Sequence, residues 1–300
     1  QYFMTYIIFK LILVFDNFEL IFKLINFFSF LIIIIFSNKI LSYYKIKLEN
    51  NIDYLFFLLL FFFNFEIIQW TYYGLTDLIL VALILMAVYY FLNGNYFITF
   101  LIFIFSISIK PQSIFILFIV SFIFINRLNL KKYLFFYLYF LFYILILLST
   151  VLINNFGENV IFLSTFAKYI NWIFLRNLFE GVIIHDRIFI EFENTLSIIK
   201  IYFLRFINLY SLYFDEFSLK HKLYKICYFV MLYLPIIFFI FKEKFIKKKF
   251  IEFSVGCIII VSLFFILTII DYDLRYRIYL YPFLIMLSSY CFKKIHHAIK

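Results

Sequence analysis

The sequence of 300 residues predicts an all-α, polytopic integral membrane protein. The prediction rests on the composition, on the continuous apolar runs and on the placement of the basic residues. Hydrophobic residues make up 67% of the chain and charged residues 15%, with a mean hydropathy of +1.05. Soluble domains are about half apolar and about a quarter charged, so a water-soluble globule is excluded. The 50 Phe and 26 Tyr exclude a disordered chain, which is poor in aromatic residues.

A lipid-exposed backbone must satisfy its own hydrogen bonds, so a membrane span is an α-helix or a strand of a closed barrel. Barrel strands alternate apolar and polar residues, whereas the apolar runs here are continuous, which selects helices. A helix needs about 20 apolar residues to cross the hydrocarbon core. The runs predict about nine transmembrane helices, some of them shorter than this length, over residues 24–41, 54–70, 78–92, 96–109, 113–125, 133–153, 226–241, 250–270 and 279–292.

Basic residues concentrate in alternate loops, as the positive-inside rule requires of cytoplasmic loops. The net charge of +10 is spread over loops between apolar runs and does not form one stripe, which is the pattern of a membrane protein, and no nucleic acid partner is expected. His296 and His297 fall on the basic side and are predicted to be solvated. The residues of this side are Lys39, Lys45, Lys47, Arg127, Lys131, Lys132, Lys242, Lys244, Lys247, Lys248, Lys249, Lys293, Lys294 and Lys300.

The opposite, extracytoplasmic side includes the long stretch 154–225. Polar residues recur there at helical spacing within 160–180 and 196–216, which predicts helices lying in the membrane interface. Residues 6–23 are predicted to form another. We find no linker and treat 1–300 as one membrane domain.

Candidate site residues are the charged residues where apolar runs meet the extracytoplasmic side. Asp77 follows a polar junction, and it is either a functional carboxylate at membrane depth or a first-turn carboxylate of the next helix. Glu66 lies one turn inside the preceding span, and it is a secondary candidate that either functions or pairs with a neighbouring helix.

Three cations complete the candidates. Lys110, before Pro111, is an anchor on lipid phosphate or a ligand for a bound phosphate. Arg275 and Arg277 run against the positive-inside rule and therefore need a partner. Asp271 and Asp273 supply that partner, or the two guanidinium groups bind the phosphate of a ligand.

The order, spacing and sidedness of these segments resemble those of the GT-C glycosyltransferases, specifically the bacterial relatives of protein mannosyltransferases and of the aminoarabinose transferase. The resemblance rests on Phe22-Lys23-Leu24-Ile25-Asn26-Phe27-Phe28-Ser29 through Lys39, on Gly74-Leu75-Thr76-Asp77, on Lys110-Pro111-Gln112, and on Arg275-Tyr276-Arg277 through Pro282.

The resemblance implies a membrane enzyme that moves a sugar from a polyprenyl-phosphate donor to a glycan, lipid or protein acceptor on the extracytoplasmic face. It implies Asp77 for the acceptor or a divalent metal, and Lys110, Arg275 and Arg277 for the donor phosphate. The family's first span and first outer loop, with the principal catalytic base, are expected upstream of Gln1. This fragment is then inactive without that acidic loop.

Three other functions are considered. An O-antigen polymerase or ligase would use Arg187, His185 and His221 of the long outer segment. A transporter or flippase would need broken or charged helices near the midplane. Pro235 and Gly256 are single interruptions and midplane charges are nearly absent, so the sequence disfavours this function. A non-catalytic membrane subunit is the third.

Overall fold

The structure is a computed structural model of the chain. It describes residues 18–48, 50–72, 76–109, 113, 115–125, 182–184, 188–190, 202–203, 205–207, 209–210, 218–242, 249–268 and 274–299. The predicted span 133–153 and most of the predicted outer stretch 154–225 lie outside these residues. Lys110, Asp271 and Asp273 also lie outside them.

The described part is mostly helical. Its helices are α1 (Phe18–Tyr43), α2 (Asn51–Phe62), α3 (Phe65–Tyr72), α4 (Asp77–Leu92), α5 (Tyr96–Ile109), α6 (Phe115–Ile125), α7 (Leu219–Lys242), α8 (Lys249–Thr268) and α9 (Tyr281–Ile299). A 3-10 helix, Leu274–Tyr279, precedes α9 and is called the 3-10 segment. Every predicted span other than 133–153 coincides with one or two of these helices.

Among the described residues, three helices are long and apolar enough to cross a membrane: Glu19–Tyr43, Leu219–Phe241 and Lys249–Ile266. A fourth crossing results if α2 and α3 are counted as one bent span. Helix α4 is apolar but has 16 residues, about 24 Å at 1.5 Å per residue, which is shorter than the hydrocarbon core. The helices are those of a membrane protein, and the number of nine spans remains a prediction.

The predicted span 54–70 is not one straight helix. The axis bends by 54° between α2 and α3. Asn64 lies at the break, where its side-chain Oδ1 accepts a hydrogen bond of 2.9 Å from the backbone N–H of Ile67. Asn is a favoured N-cap because its side chain satisfies a free N–H of the first turn. The cap therefore starts a new helix in mid-run, with Glu66 in its first turn.

Helices α4 and α9 form the centre of the bundle. Nearly every residue of α4 is buried, and it packs against α1, α5 and α6. Helix α9 packs against α7, α8, α2 and α1, and its first three turns are mostly buried. The 3-10 segment contacts α3, α4 and α9 and so lies between the two central helices.

The end of the bundle formed by the start of α2 and the end of α9 carries a buried carboxylate. Oδ1 of Asp53 lies 2.9 Å from Nδ1 of His296, and its Oδ2 lies 3.4 Å from Nε2 of His297. The side chain of His296 is 18% exposed and that of His297 47%. The prediction that both are solvated is therefore wrong for His296, because a carboxylate distant in sequence packs against it.

Two smaller differences concern the predicted interfacial helices. Residues 18–23, predicted to lie in the interface, form the first turns of α1 instead, continuous with the predicted span. A two-stranded antiparallel hairpin, β1 (Val182–Ile184) and β2 (Ile188–Ile190), lies within the long outer stretch. Apart from this short hairpin the described chain is helical, which confirms the predicted all-α class in its main part.

Candidate functional site

The site begins with Glu66, a carboxylate that is 4% exposed. The bend between α2 and α3 puts it in the first turn of α3 and not in the middle of a continuous helix. A carboxylate is stabilised there by the partial positive charge of the helix N-terminus. That contribution is at most about 2 kcal/mol, so a buried charge in an apolar bundle still needs a partner of opposite sign.

Two cations and a phenol from distant parts of the chain surround Glu66. Nζ of Lys225, from α7, donates to Oε1 at 2.7 Å. An amino group of Arg277, in the 3-10 segment, lies 3.5 Å from the same oxygen. The hydroxyl of Tyr281, the first residue of α9, donates to Oε2 at 2.7 Å. Both carboxylate oxygens are therefore engaged.

These residues line a cleft between α3, α7, α9 and the 3-10 segment, with about 570 Å³ of empty space, part of it open to the outside of the protein. The described residues of the lining carry three charges, those of Glu66, Lys225 and Arg277. Two cations beside one carboxylate supply charged hydrogen-bond donors on the lining, and such donors suit an anion that enters the cleft. The lining consists of Asn64, Phe65, Glu66, Leu209, Tyr210, Tyr224, Lys225, Tyr228, Phe229, Leu232, Tyr233, Arg277, Leu280, Tyr281 and Leu284.

The lining of the cleft combines charged, phenolic and apolar side chains. After Lys225, the lining residues of the next two turns of α7 are Tyr228, Phe229, Leu232 and Tyr233, and Leu284 of α9 also lines the cleft. An occupant with an anionic head and an apolar tail matches this combination.

Five tyrosines line the cleft, and four of their hydroxyls bond to the protein. Tyr281 binds Glu66, Tyr228 donates to the carbonyl of Leu60 at 3.0 Å, and Tyr224 donates to the carbonyl of Phe63. Tyr210 pairs with Ser262 at 2.6 Å. Within the described ranges the fifth, Tyr233, has no hydrogen-bond partner, which leaves its hydroxyl available to a ligand.

The wall formed by Leu209 and Tyr210 is fixed by a neighbouring buried cation. An amino group of Arg205 donates at 2.7 Å to the carbonyl of Ile266, near the C-terminal end of α8, where carbonyls lack helical partners. Burial lowers the pKa of the Arg205 guanidinium to about 10, so it is charged at neutral pH. Burial raises the pKa of the Tyr210 phenol, against the opposing effect of its bond to Ser262.

Asp77 lies beside the 3-10 segment but not in the lining of the cleft. It is the first residue of α4 and 1% exposed, and its Oδ1 accepts a 2.5 Å hydrogen bond from the hydroxyl of Tyr279. Tyr279 and Arg277 are two residues apart in the 3-10 segment. Asp77 and Glu66 therefore hold the same segment through different side chains.

Of the residues predicted from sequence, the structure brings together Glu66 and Arg277, with Asp77 adjacent. Arg275 belongs to the 3-10 segment, but the described atoms do not include its side chain, and Lys110, Asp271 and Asp273 lie outside the described residues. The sequence analysis missed Lys225 and Tyr281. Lys225 sits immediately before the apolar run 226–241, a signal that it ends a span near the candidate site.

No group of three or more His, Cys, Asp or Glu side chains within the described ranges is arranged to hold a metal ion. Comparison of the chain with protein-family models, with curated proteins and with solved structures found no match.

Proposed function

We propose that the chain is a membrane enzyme that moves a sugar from a polyprenyl-phosphate donor to an acceptor on the extracytoplasmic face of the bacterial cytoplasmic membrane. In this proposal the cleft binds the donor's phosphate. The observation that carries it is a pair of buried cations, Lys225 and Arg277, which meet at Glu66 on the lining of a cleft that also has apolar side chains.

The cations of the cleft suit the phosphate of the donor. A polyprenyl-phosphate sugar is a phosphodiester with one negative charge, and Lys225 and Arg277 are an ammonium and a guanidinium on the lining. Charge-assisted hydrogen bonds from such groups are about twice as strong as neutral ones, and they act in a medium of low dielectric constant.

The same cations would assist the reaction. As the bond between the anomeric carbon and the phosphate oxygen breaks, the departing lipid phosphate gains negative charge. Lys225 and Arg277 are fixed by Glu66 before the substrate arrives, and donors fixed in advance stabilise developing charge without reorganising. The polyprenyl chain would lie along Phe229, Leu232 and Leu284.

The acceptor hydroxyl needs a base within hydrogen-bond reach. Glu66 does not suit that role, because Lys225, Arg277 and Tyr281 engage both of its oxygens. We therefore propose Glu66 as the residue that positions the two cations, and a different carboxylate as the base. Lys110 and Arg275 remain predicted phosphate ligands.

A second candidate, an O-antigen polymerase or ligase, is favoured by one contact. The ring of His221, which that function would use, packs edge-on against Phe65 of the cleft at a centroid distance of 4.4 Å. Such an enzyme would act on a diphosphate-linked glycan with at least two negative charges, and a polyprenyl-phosphate sugar has one. Comparing monophosphate- and diphosphate-linked donors separates the two functions.

The test is a transfer assay with the full-length protein in lipid nanodiscs, supplied with a polyprenyl-phosphate radiolabelled sugar and a membrane extract as acceptor. We expect transfer by the unsubstituted protein, its loss in Arg277→Ala, and partial return in Arg277→Lys. Lys220→Ala, which removes an exposed cation of α7 outside the cleft, is the matched control. Near-normal transfer by Arg277→Ala would remove the proposed role.

A further inference from the structure

The 3-10 segment is held by a buried carboxylate on each side. Arg277 lies 3.5 Å from Oε1 of Glu66 in α3, and the hydroxyl of Tyr279 lies 2.5 Å from Oδ1 of Asp77 in α4. Arg277, Tyr279 and both carboxylates are all buried. The two attachments join the segment to α3 and α4, and the segment also contacts α9, which follows it in the chain.

A 3-10 helix is weak by itself, so the position of this segment depends on its attachments to neighbouring helices. Its hydrogen bonds have poorer geometry than those of an α-helix, and it seldom extends beyond one or two turns. The contact with Glu66 alone is a long one, at 3.5 Å. Asp77, in contrast, stands at the start of the most deeply buried helix of the bundle, which is a rigid support.

We infer that Asp77 is a positioning residue: through Tyr279 it holds the 3-10 segment so that the guanidinium of Arg277 faces the cleft. The inference rests on the proposed binding of a lipid phosphate in the cleft. It differs from the role that the resemblance implies, in which Asp77 binds acceptor or metal. The side chain of Asp77 is buried and does not line the cleft.

The two roles of Asp77 make opposite predictions for conservative substitutions. Positioning requires an acceptor for the Tyr279 hydroxyl, and an amide oxygen accepts as a carboxylate does. Asp77→Asn should then rescue what Asp77→Ala loses, and Tyr279→Phe, which removes only the donor, should resemble Asp77→Ala. Binding of a metal or of an acceptor proton requires the charge, so Asp77→Asn would then be as damaging as Asp77→Ala, and Tyr279→Phe would be harmless.

The experiment measures the Kd of a polyprenyl phosphate for the full-length protein in nanodiscs. We expect Asp77→Ala and Tyr279→Phe each to weaken binding by about tenfold, as for loss of one hydrogen bond to a charged group. Asp77→Asn should stay within about threefold of the unsubstituted protein. Tyr89→Phe, at the opposite end of α4, is the matched control for removal of a phenol hydroxyl and should not change Kd.

A direct readout of segment position accompanies the binding measurement. Hydrogen exchange of residues 274–280 should accelerate in Tyr279→Phe and in Asp77→Ala and not in Asp77→Asn, while exchange in α8 stays unchanged. This comparison shows whether a variant is folded, since a globally unfolded protein would exchange everywhere. It also reports on positioning without any ligand.

These measurements distinguish failure of the inference from failure of the proposed phosphate site. The inference is overturned if Tyr279→Phe binds and exchanges as the unsubstituted protein does, or if Asp77→Asn is as impaired as Asp77→Ala. If Arg277→Ala leaves Kd unchanged, the proposed phosphate site itself fails. In that case accelerated exchange in Tyr279→Phe would still support the structural link between Asp77 and the segment.

Discussion

Nζ of Lys225 lies 2.7 Å from Oε1 of Glu66, and both side chains are at least nine-tenths buried. The two residues are 159 positions apart, and their contact joins α7 to α3 beside the cleft. Buried ion pairs are weak contributors to stability, because desolvation offsets most of their attraction. The position of this pair on a cleft with a second cation is what favours a binding role over a purely structural one.

Glu66→Gln should destabilise the protein strongly. It removes the negative charge that both Lys225 and Arg277 contact, and breaking a buried ion pair typically costs about 3–5 kcal/mol. The measurement is the free energy of unfolding in mixed micelles. Adding Lys225→Met removes the cation closest to Glu66, so the double variant should lose less than the sum of the single losses. Additive losses would contradict the coupling.

Tyr233→Phe should weaken ligand binding without affecting folding. The hydroxyl has no protein partner within the described ranges, so its removal costs only a bond to the ligand, about three- to tenfold in Kd for a polyprenyl phosphate. Tyr228→Phe is the comparison, since its hydroxyl accepts from Asn64 at 2.8 Å and donates to the carbonyl of Leu60. That variant should lose about 1–3 kcal/mol of unfolding free energy. A destabilised Tyr233→Phe would refute the assignment.

The helices were predictable from sequence, because each apolar run between charged loops is a local pattern. The break in the run 54–70 was not anticipated, although Asn64 carries the signal: an Asn within an apolar run can cap a new helix. The 3-10 segment was likewise assigned to a loop and the start of α9. At the break, the side chain of Asn64 and not the hydropathy of the run sets the boundary.

The site was only partly predictable, because its contacts join residues far apart in sequence. Arg277 was singled out as a cation on the wrong side of the charge pattern, yet its observed partner Glu66 is remote from it and was a secondary candidate. His296 was misjudged for the same reason: a histidine among lysines looks solvated until Asp53, 243 residues away, packs against it. Periodicity does not report such pairs.

Removing His296 should cost more stability than removing its neighbour. His296 is the less exposed of the pair and approaches Asp53 more closely, so His296→Ala leaves a buried carboxylate without its nearest partner. We expect a loss of about 1–3 kcal/mol, against less than about half of that for His297→Ala. Equal, small losses in unfolding experiments would restore the view that both histidines are solvated.

Gly256 permits the close approach of α8 and α6. A Cβ at this position would lie 2.0 Å from Cζ of Phe122, well inside contact distance. Gly256→Ala should therefore displace the Phe122 ring and cost about 1–3 kcal/mol, as other overpacked cores do. Phe122→Leu in the same chain should recover part of that loss, as measured by thermal unfolding. Absence of any loss in Gly256→Ala would show that the ring moves freely.

The most direct test of the account is whether the cleft recognises the charge of a lipid phosphate. The measurement compares the Kd of a polyprenyl phosphate with that of the neutral polyprenol of equal chain length, in nanodiscs of neutral lipid. We predict that the unsubstituted protein and Lys220→Ala prefer the phosphate by at least about tenfold, and that Arg277→Met loses most of this preference. Equal affinity of the unsubstituted protein for the two lipids, or an unchanged preference in Arg277→Met, would contradict the account.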